Sequence, residues 1–173
     1  MPNTPINAYV SLGSNLGDRA GNLLLGIRGM LDAGHRVIRL SRIYETEPVE
    51  FTAQPWFLNC AVKLSTEKMP RQLLNGVLNI ERTMGRRRVK EKGPRIIDID
   101  ILLFGKSIVN AKGLNIPHAA MHTRRFVLEP LAEIAPGVRH PVLKRTIREL
   151  LEVLPAGQTV KRVGKLQIAG FRF

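Results

Sequence analysis

The chain of 173 residues contains one cysteine, Cys60, and few aromatic residues, which make up 5% of it. A single cysteine excludes an intramolecular disulfide framework and fits a reducing compartment, so we expect a cytoplasmic protein. No apolar run approaches the roughly 20 residues that a membrane-spanning helix requires. Residues 1–7 have neither the basic nor the apolar segment of a signal peptide. We therefore expect no signal peptide and no membrane association.

Common nucleotide and zinc signatures are also missing. The sequence has no Gly-x-x-x-x-Gly-Lys-Ser/Thr run and no Gly-x-Gly-x-x-Gly run after a predicted strand. Its four histidines do not have the spacing of a zinc site. Residues 13–18 form a glycine-rich turn without the P-loop lysine. Taken alone, that turn predicts only a tight bend in which Asp18 caps the next helix.

What the sequence does contain is a pair of acids inside an apolar strand. Asp98 and Asp100 interrupt the run GPRIIDIDILLF at residues 93–104. Because side chains alternate along a strand, both carboxylates should face the same side. Two like charges beside apolar walls require a compensating cation, and Mg²⁺ prefers such oxygen ligands. An edge strand with a solvated outer face is the other interpretation, and this strand alone leaves both open.

The segment before this strand carries the opposite charge. Residues 82–95 contain seven Arg or Lys residues against one acid, Glu91, which places +6 of the chain's formal charge of +13 in this segment. A basic loop that runs into two carboxylates predicts a polyphosphate site, where acids hold metal and guanidinium groups neutralise phosphate oxygens. Phosphoryl transfer needs mainly positioning and charge stabilisation, which such groups supply.

Hydrophobic periodicity predicts the order of the structural elements. Strands are expected at residues 8–12, 35–44, 57–64 and 96–104, and helices at about residues 18–33 and 70–84. This β-α-β-β-α-β order predicts an α+β, ferredoxin-like core, in which both helices pack on one face of an antiparallel sheet and the other face is partly open.

C-terminal additions follow this core. They are a short hairpin near residues 108–116, helices near residues 126–132 and 146–154, and a tail over residues 155–173 that is either an added strand or a loosely held extension. We expect one domain over residues 1–173. A pI near 10.9 also suits a basic ferredoxin-like RNA-binding module, although the shortage of aromatic residues argues against it.

Six segments, in this order, resemble the motifs of one family. They are GSNLG at residues 13–17, YETEP at 44–48, FLN at 57–59, GPRIIDID at 93–100, PH at 117–118 and RRF at 124–126. Over about residues 8–155 the chain resembles the 6-hydroxymethyl-7,8-dihydropterin pyrophosphokinase family. The resemblance implies a folate-pathway enzyme that transfers pyrophosphate from ATP to the hydroxymethyl group of a reduced pterin and releases AMP.

The resemblance also implies a role for each matching residue. Asp98 and Asp100 would bind two Mg²⁺ ions, and Arg86 and Arg95 would stabilise the transferring group. The implied ATP contacts are Glu81, Arg88, Ile101, His118 and Arg124. The implied pterin contacts are Thr46, Val49, Phe57, Asn59 and Phe126. The amide of Asn59 would read the polar edge of the ring, and the two phenylalanines would stack on its faces.

The implied partners are ATP and the pterin alone, with no nucleic acid and no membrane, and we expect a monomer. Glu91, Lys92 and Ala119 depart from the family's pattern, which bears on loop closure and nucleotide affinity. Two alternatives stay open from the sequence: the RNA-binding module and a catalytically inactive relative that still binds nucleotide.

Overall fold

The structure is a computed structural model that describes residues 4–86 and 92–172. Its strands are β1 (Ile6–Ser14), β2 (Arg36–Leu40), β3 (Ile43–Thr46), β4 (Phe57–Thr66), β5 (Asp98–Phe104), β6 (Val109–Ala111), β7 (Leu114–Ile116) and β8 (Val160–Gly164). Its helices are α1 (Arg19–Asp32), α2 (Pro70–Thr83), α3 (Arg125–Ile134) and α4 (Ile147–Glu152). None of the helices in the described part of the chain is both long and apolar enough to span a bilayer.

The main sheet has the strand order β5-β1-β4-β3-β8, and β2 also pairs with β4. All of these pairings are antiparallel. The expected α+β, ferredoxin-like arrangement is therefore confirmed, with the strand that carries both acids at one edge. Strands β6 and β7 form the expected separate hairpin.

One face of the sheet packs on α1 and α2. Alternate residues of β1, namely Ala8, Val10 and Leu12, are fully buried in a core shared with both helices. The helices approach closely because α1 carries a glycine at the contact: a Cβ on Gly29 would lie 2.9 Å from Cγ1 of Ile80. As expected, Asp18 caps α1, accepting a hydrogen bond from the backbone N–H of Gly21 at 2.9 Å.

The opposite face of the sheet is covered more fully than we expected. Tyr9, Ala61 and Leu103 pack there against α3 and α4 in a second buried cluster. Alternation along β1 and β5 places Ser11 and Gly13 on this same face, beside Asp100 and Asp98. The two C-terminal helices thus close one end of the face and leave its polar end as a cleft.

The prediction of a single strand over residues 35–44 is wrong, because Ser41 interrupts it and separates β2 from β3. The backbone N–H of Ser41 donates to the carbonyl of Ala61, and its hydroxyl accepts from the N–H of Ala61 at 2.8 Å. The hydroxyl also donates to the carbonyl of Arg42 at 2.7 Å. The Ser41 hydroxyl thus takes the place of a backbone acceptor in the hydrogen-bond ladder, and the regular pairing is interrupted there as it is at a β-bulge.

The C-terminal segment contributes a strand to the sheet. Strand β8 pairs with β3, with Thr46 opposite Val160 and Glu45 opposite Lys161. Of the two forms expected for the tail, the added strand is confirmed for residues 160–164.

Candidate active site

The two acids lie side by side at the edge of the sheet. Asp98 pairs in register with Gly13 of β1, and Asp100 pairs with Ser11. Their side chains share one face of the sheet, which confirms the expectation from strand alternation.

Both arginines of the site bind Asp98. Nη1 of Arg95 lies 2.7 Å from Oδ2 of Asp98, and Nη1 of Arg86 lies 2.8 Å from Oδ1. Arg86 also forms an ion pair with Glu81, whose Oε1 accepts from the backbone N–H of Ile99 at 2.8 Å. Glu81 is 4% exposed, and this burial raises its pKa. Asp98 is therefore neutralised from both sides by guanidinium groups.

No guanidinium group in the described part of the chain pairs directly with Asp100, although the more distant charges of Arg124 and Arg86 lower its pKa in part. Among the described residues, its one ion-pair partner is His118, with Nε2 at 3.9 Å from Oδ2. Burial and the Arg124 charge lower the pKa of His118, so this partner is largely neutral near pH 7. Partial burial, followed by the charge of Asp98, raises the pKa of Asp100 to about 7. Asp100 is the point at which an added cation would be stabilised most.

The donor set fits a hard divalent cation. Carboxylate oxygens are the ligands that Mg²⁺ prefers, and such ions are usually held by one or two carboxylates together with water and substrate phosphates. Within the described residues, no group of three or more His, Cys, Asp or Glu side chains could hold a metal ion by itself. Asp98 and Asp100 thus form a site that needs further ligands from a substrate or from water.

Asn15 anchors the arginine segment to the glycine-rich turn. Its Oδ1 accepts from the backbone N–H of Arg95 at 2.8 Å. Its Nδ2 donates to the carbonyl of Pro55 at 2.9 Å and to Oε1 of Gln54 at 3.0 Å. Gln54 in turn donates to the carbonyls of Phe51 and Lys92. Neither Asn15 nor Gln54 is among the predicted site residues, although Asn15 lies within the GSNLG motif at residues 13–17.

A cavity of about 270 Å³ opens on one side of the acids. At its inner end, Nδ2 of Asn59 donates to Oγ1 of Thr46 at 2.7 Å. Asn59 lies opposite Gly13 in the ladder, and a Cβ on Gly13 would come within 2.6 Å of its Oδ1. The Phe57 ring lies under the guanidinium of Arg95 at 5.7 Å. The lining of this smaller cavity thus combines the aromatic rings of Phe57 and Phe126 with the buried amide of Asn59.

A larger cleft of about 810 Å³ lies on the other side. It runs along the free edge of β5 and mixes cationic groups with apolar ones, including Leu74, Leu78 and Leu114. The smaller cavity and the larger cleft share five lining residues: Lys92, Arg95, Asp98, Asp100 and Arg124. The acids therefore stand at the junction of two spaces.

The structure brings the expected site residues together. Thr46, Val49, Phe57, Asn59 and Phe126 line the smaller cavity. Glu81, Arg86, Ile101 and His118 line the larger cleft. Ile101 packs mainly in the core beneath α2, so it presents little side chain to the cleft. Arg88 and Glu91 lie outside the described residues.

Paired carboxylates and arginines between two cavities are suited to binding phosphate groups together with a cation. The fold and the site thus define a ferredoxin-like α+β protein of the phosphate-handling class. Residues 9–136 match the family model described as 7,8-dihydro-6-hydroxymethylpterin-pyrophosphokinase (HPPK). The chain belongs to this family.

Individual relatives agree with the family match. The chain is 43% identical to the 2-amino-4-hydroxy-6-hydroxymethyldihydropteridine pyrophosphokinase of Methylorubrum extorquens, over 87% of this chain and 95% of that protein. It is 42% identical to the folic acid synthesis protein fol1 of Pneumocystis carinii, over 83% of this chain and 20% of that protein. The chain thus spans about a fifth of the length of fol1.

Solved structures show the same fold. The Plasmodium falciparum HPPK-DHPS wild type with pteroate superimposes with a TM-score of 0.70 at 18% identity, over 88% of this chain and 45% of that one.

Proposed function

We propose that this protein transfers pyrophosphate from ATP to the hydroxymethyl group of 6-hydroxymethyl-7,8-dihydropterin, giving AMP and the pterin diphosphate for folate biosynthesis. Membership of the HPPK family and the name of the Methylorubrum extorquens relative support this reaction. The observation that carries the proposal is the position of Asp98 and Asp100, which line both the smaller cavity and the larger cleft. Two substrates placed in these spaces would meet at the acids.

The smaller cavity suits a pterin ring. Asn59 is 4% exposed and has its Nδ2 engaged by Thr46, which fixes the orientation of the amide for the ring's mixed donor and acceptor edge. Phe57 and Phe126 line the same space and supply stacking surfaces for the faces of the ring. Val49 completes the pocket wall. Binding a flat ring here would place its substituent toward the acids.

The larger cleft suits ATP. Arg86, Arg95, His118 and Arg124 provide donors for phosphate oxygens. The apolar side chains Leu74, Leu78 and Leu114 provide surface for the base, whereas the buried side chain of Ile101 contributes little. Glu81 positions Arg86 through their ion pair. In the family's pattern, Arg88 would add a further phosphate contact from the segment after Arg86.

Asp98 and Asp100 would hold two Mg²⁺ ions. Bound there, the ions would neutralise phosphate oxygens and bridge them to the protein. The guanidinium groups of Arg86 and Arg95 already lie beside the proposed metal site, since both bind Asp98. Phosphate oxygens bound beside Asp98 would offer these two guanidinium groups a second anionic partner within reach.

The remaining features of the proposal concern the whole protein. We propose that residues 1–173 form one domain that acts as a cytoplasmic monomer on small molecules. The RNA-binding alternative has no support from the family match or from the names of the relatives. The inactive-relative alternative would require a missing carboxylate or arginine, whereas the sequence contains Asp98, Asp100, Arg86 and Arg95.

The test is AMP formation from Mg²⁺-ATP, measured with and without the pterin, for wild type and for the Asp98→Asn/Asp100→Asn variant. We expect pterin-dependent AMP from wild type and a loss of at least about 10²-fold in the variant, since this is the cost of removing one electrostatic group from a catalytic site. Asp32→Asn is the matched control, because within the described part of the chain Asp32 pairs with Arg28 alone, on the exposed face of α1. Turnover by the double variant at the wild-type rate would refute the role of the acids.

A further inference from the structure

Residues just before β8 touch both walls of the smaller cavity. Nε2 of Gln158 donates to the carbonyl of Glu47 at 3.0 Å, and its Oε1 accepts from the backbone N–H of Phe126 at 3.2 Å. Glu47 and Phe126 both line the cavity. A single side-chain amide thus joins two segments of the pocket wall that come from different parts of the chain.

Each of these segments carries a group that faces the bound ring in the proposed function. Glu47 directly follows Thr46, whose hydroxyl accepts the hydrogen bond from Asn59. Phe126 lies in the first turn of α3. The first N–H groups of a helix have no partner within it, and the capping residue here, Arg124, makes no side-chain cap among the described residues. Oε1 of Gln158, from a segment distant in the sequence, supplies the acceptor for the N–H of Phe126.

The position of Gln158 is itself fixed by the sheet. The backbone N–H of Thr159 donates to Oε1 of Glu47 at 2.5 Å, and the N–H of Glu47 donates to the carbonyl of Thr159 at 3.2 Å. These bonds continue the pairing of β8 with β3, in which Val160 lies opposite Thr46. The backbone of Gln158 is therefore restrained by the hydrogen bonds of the adjacent strand pair.

We propose that Gln158 is a positioning residue for the pterin, setting the spacing between the Thr46–Glu47 wall and the Phe126 ring. The inference rests on the proposed function, since it concerns the same pocket. It assigns a role to a residue beyond residues 9–136, the segment that the family model matches. The predicted effect is confined to one substrate, because neither Glu47 nor Phe126 is among the described residues that line the larger cleft.

The test compares Gln158→Ala and Gln158→Met with wild type in steady-state kinetics, varying the pterin and ATP separately. Met keeps the length and volume of the side chain but makes neither hydrogen bond, so it separates bonding from packing. We expect both variants to raise the KM for the pterin about tenfold, the effect of losing roughly one net hydrogen bond, while kcat and the KM for ATP stay within twofold of wild type. Gln167→Ala is the matched control, because Gln167 is an exposed glutamine of the same tail.

The outcomes of this test separate the possibilities. A tenfold rise confined to the pterin in both variants supports the proposal. Equal rises for pterin and ATP, or a KM for the pterin within twofold of wild type in Gln158→Met, overturn the positioning role even if Gln158→Ala fails to fold. A wild-type protein that makes no pterin-dependent AMP overturns the proposed function and this inference together, whereas active wild type with unchanged variants overturns only the role of Gln158.

Discussion

Replacing Asn15 by alanine tests whether the glycine-rich turn acts through Arg95. Asn15 is 2% exposed and makes three side-chain hydrogen bonds, to Arg95, Pro55 and Gln54. Asn15→Ala removes all three at once. The backbone N–H of Asn15 still donates to the carbonyl of Arg95 at 3.2 Å, so the two segments stay adjacent while the segment that carries Arg95 loses its main restraint.

The magnitude follows from the groups left behind. The N–H of Arg95 loses its partner at a half-buried position, where an unsatisfied polar group costs about 1–3 kcal/mol, whereas the carbonyl of Pro55, an exposed residue, can bond water instead. We therefore expect the free energy of unfolding to fall by about 1–3 kcal/mol. We also expect kcat to fall by about 10- to 100-fold, because a displacement of about 1 Å in a positioned group can cost 10² in rate. The KM for the pterin should change little, since Thr46, Asn59 and Phe126 keep their contacts.

The assay is urea unfolding together with steady-state turnover, with two comparison variants. Asn15→Asp keeps the oxygen that accepts from Arg95 and loses the donors, so its kcat should lie closer to wild type than that of Asn15→Ala. Asn22→Ala is the matched control, because the Asn22 amide, on α1, bonds Ser14 and Leu16 of the same turn and makes no hydrogen bond to Arg95 among the described residues. It should lower stability by about 1 kcal/mol and leave kcat unchanged. If Asn15→Ala lost stability while keeping the wild-type kcat, the coupling to Arg95 would be refuted.

Two further predictions concern the acids and their neighbour on β1. Gly13→Ala places a Cβ 2.6 Å from Oδ1 of Asn59, so the amide must turn. The KM for the pterin should then rise at least about tenfold. Gly76→Ala is the control, because its added Cβ meets nothing within 4 Å, and it should leave that KM unchanged. Because the pKa of Asp100 is raised to about 7, protons compete with Mg²⁺ below that pH, and calorimetry should show metal affinity rising about tenfold from pH 6 to pH 8. The same titration of Asp100→Asn should be nearly flat over this range, and an equally steep rise in that variant would show that another group titrates.

The parts of the structure that follow from local periodicity could be predicted from the sequence. Alternation along residues 96–104 placed Asp98 and Asp100 on one face, and apolar spacing gave both core helices. The element order then implied the ferredoxin-like sheet. These features depend on the spacing of apolar residues over short stretches of chain, which can be read directly from a single sequence.

Contacts between distant side chains could not be predicted in this way. Nothing in the pattern of residues 35–44 shows that the Ser41 hydroxyl replaces a ladder bond and splits the strand. Likewise, the partly open face expected from the core alone is partly covered, because α3 and α4 pack on Tyr9 and Leu103. The roles of Asn15 and Gln158 depend on hydrogen bonds that only the folded chain brings into range.

The length of those connections has a consequence for how the protein folds. The bond from Asn15 to Arg95 joins residues 80 apart, and the bond from Gln158 to Glu47 joins residues 111 apart. Closing such long loops costs chain entropy before any contact is gained, so topologies rich in distant pairings fold slowly. Helices α1 and α2 can form early from local contacts, whereas the smaller cavity is lined by residues from Ser11 to Phe126 and needs β1, β4, β5 and α3 together. During synthesis this cavity would therefore form only after Phe126 has been added, well after both core helices.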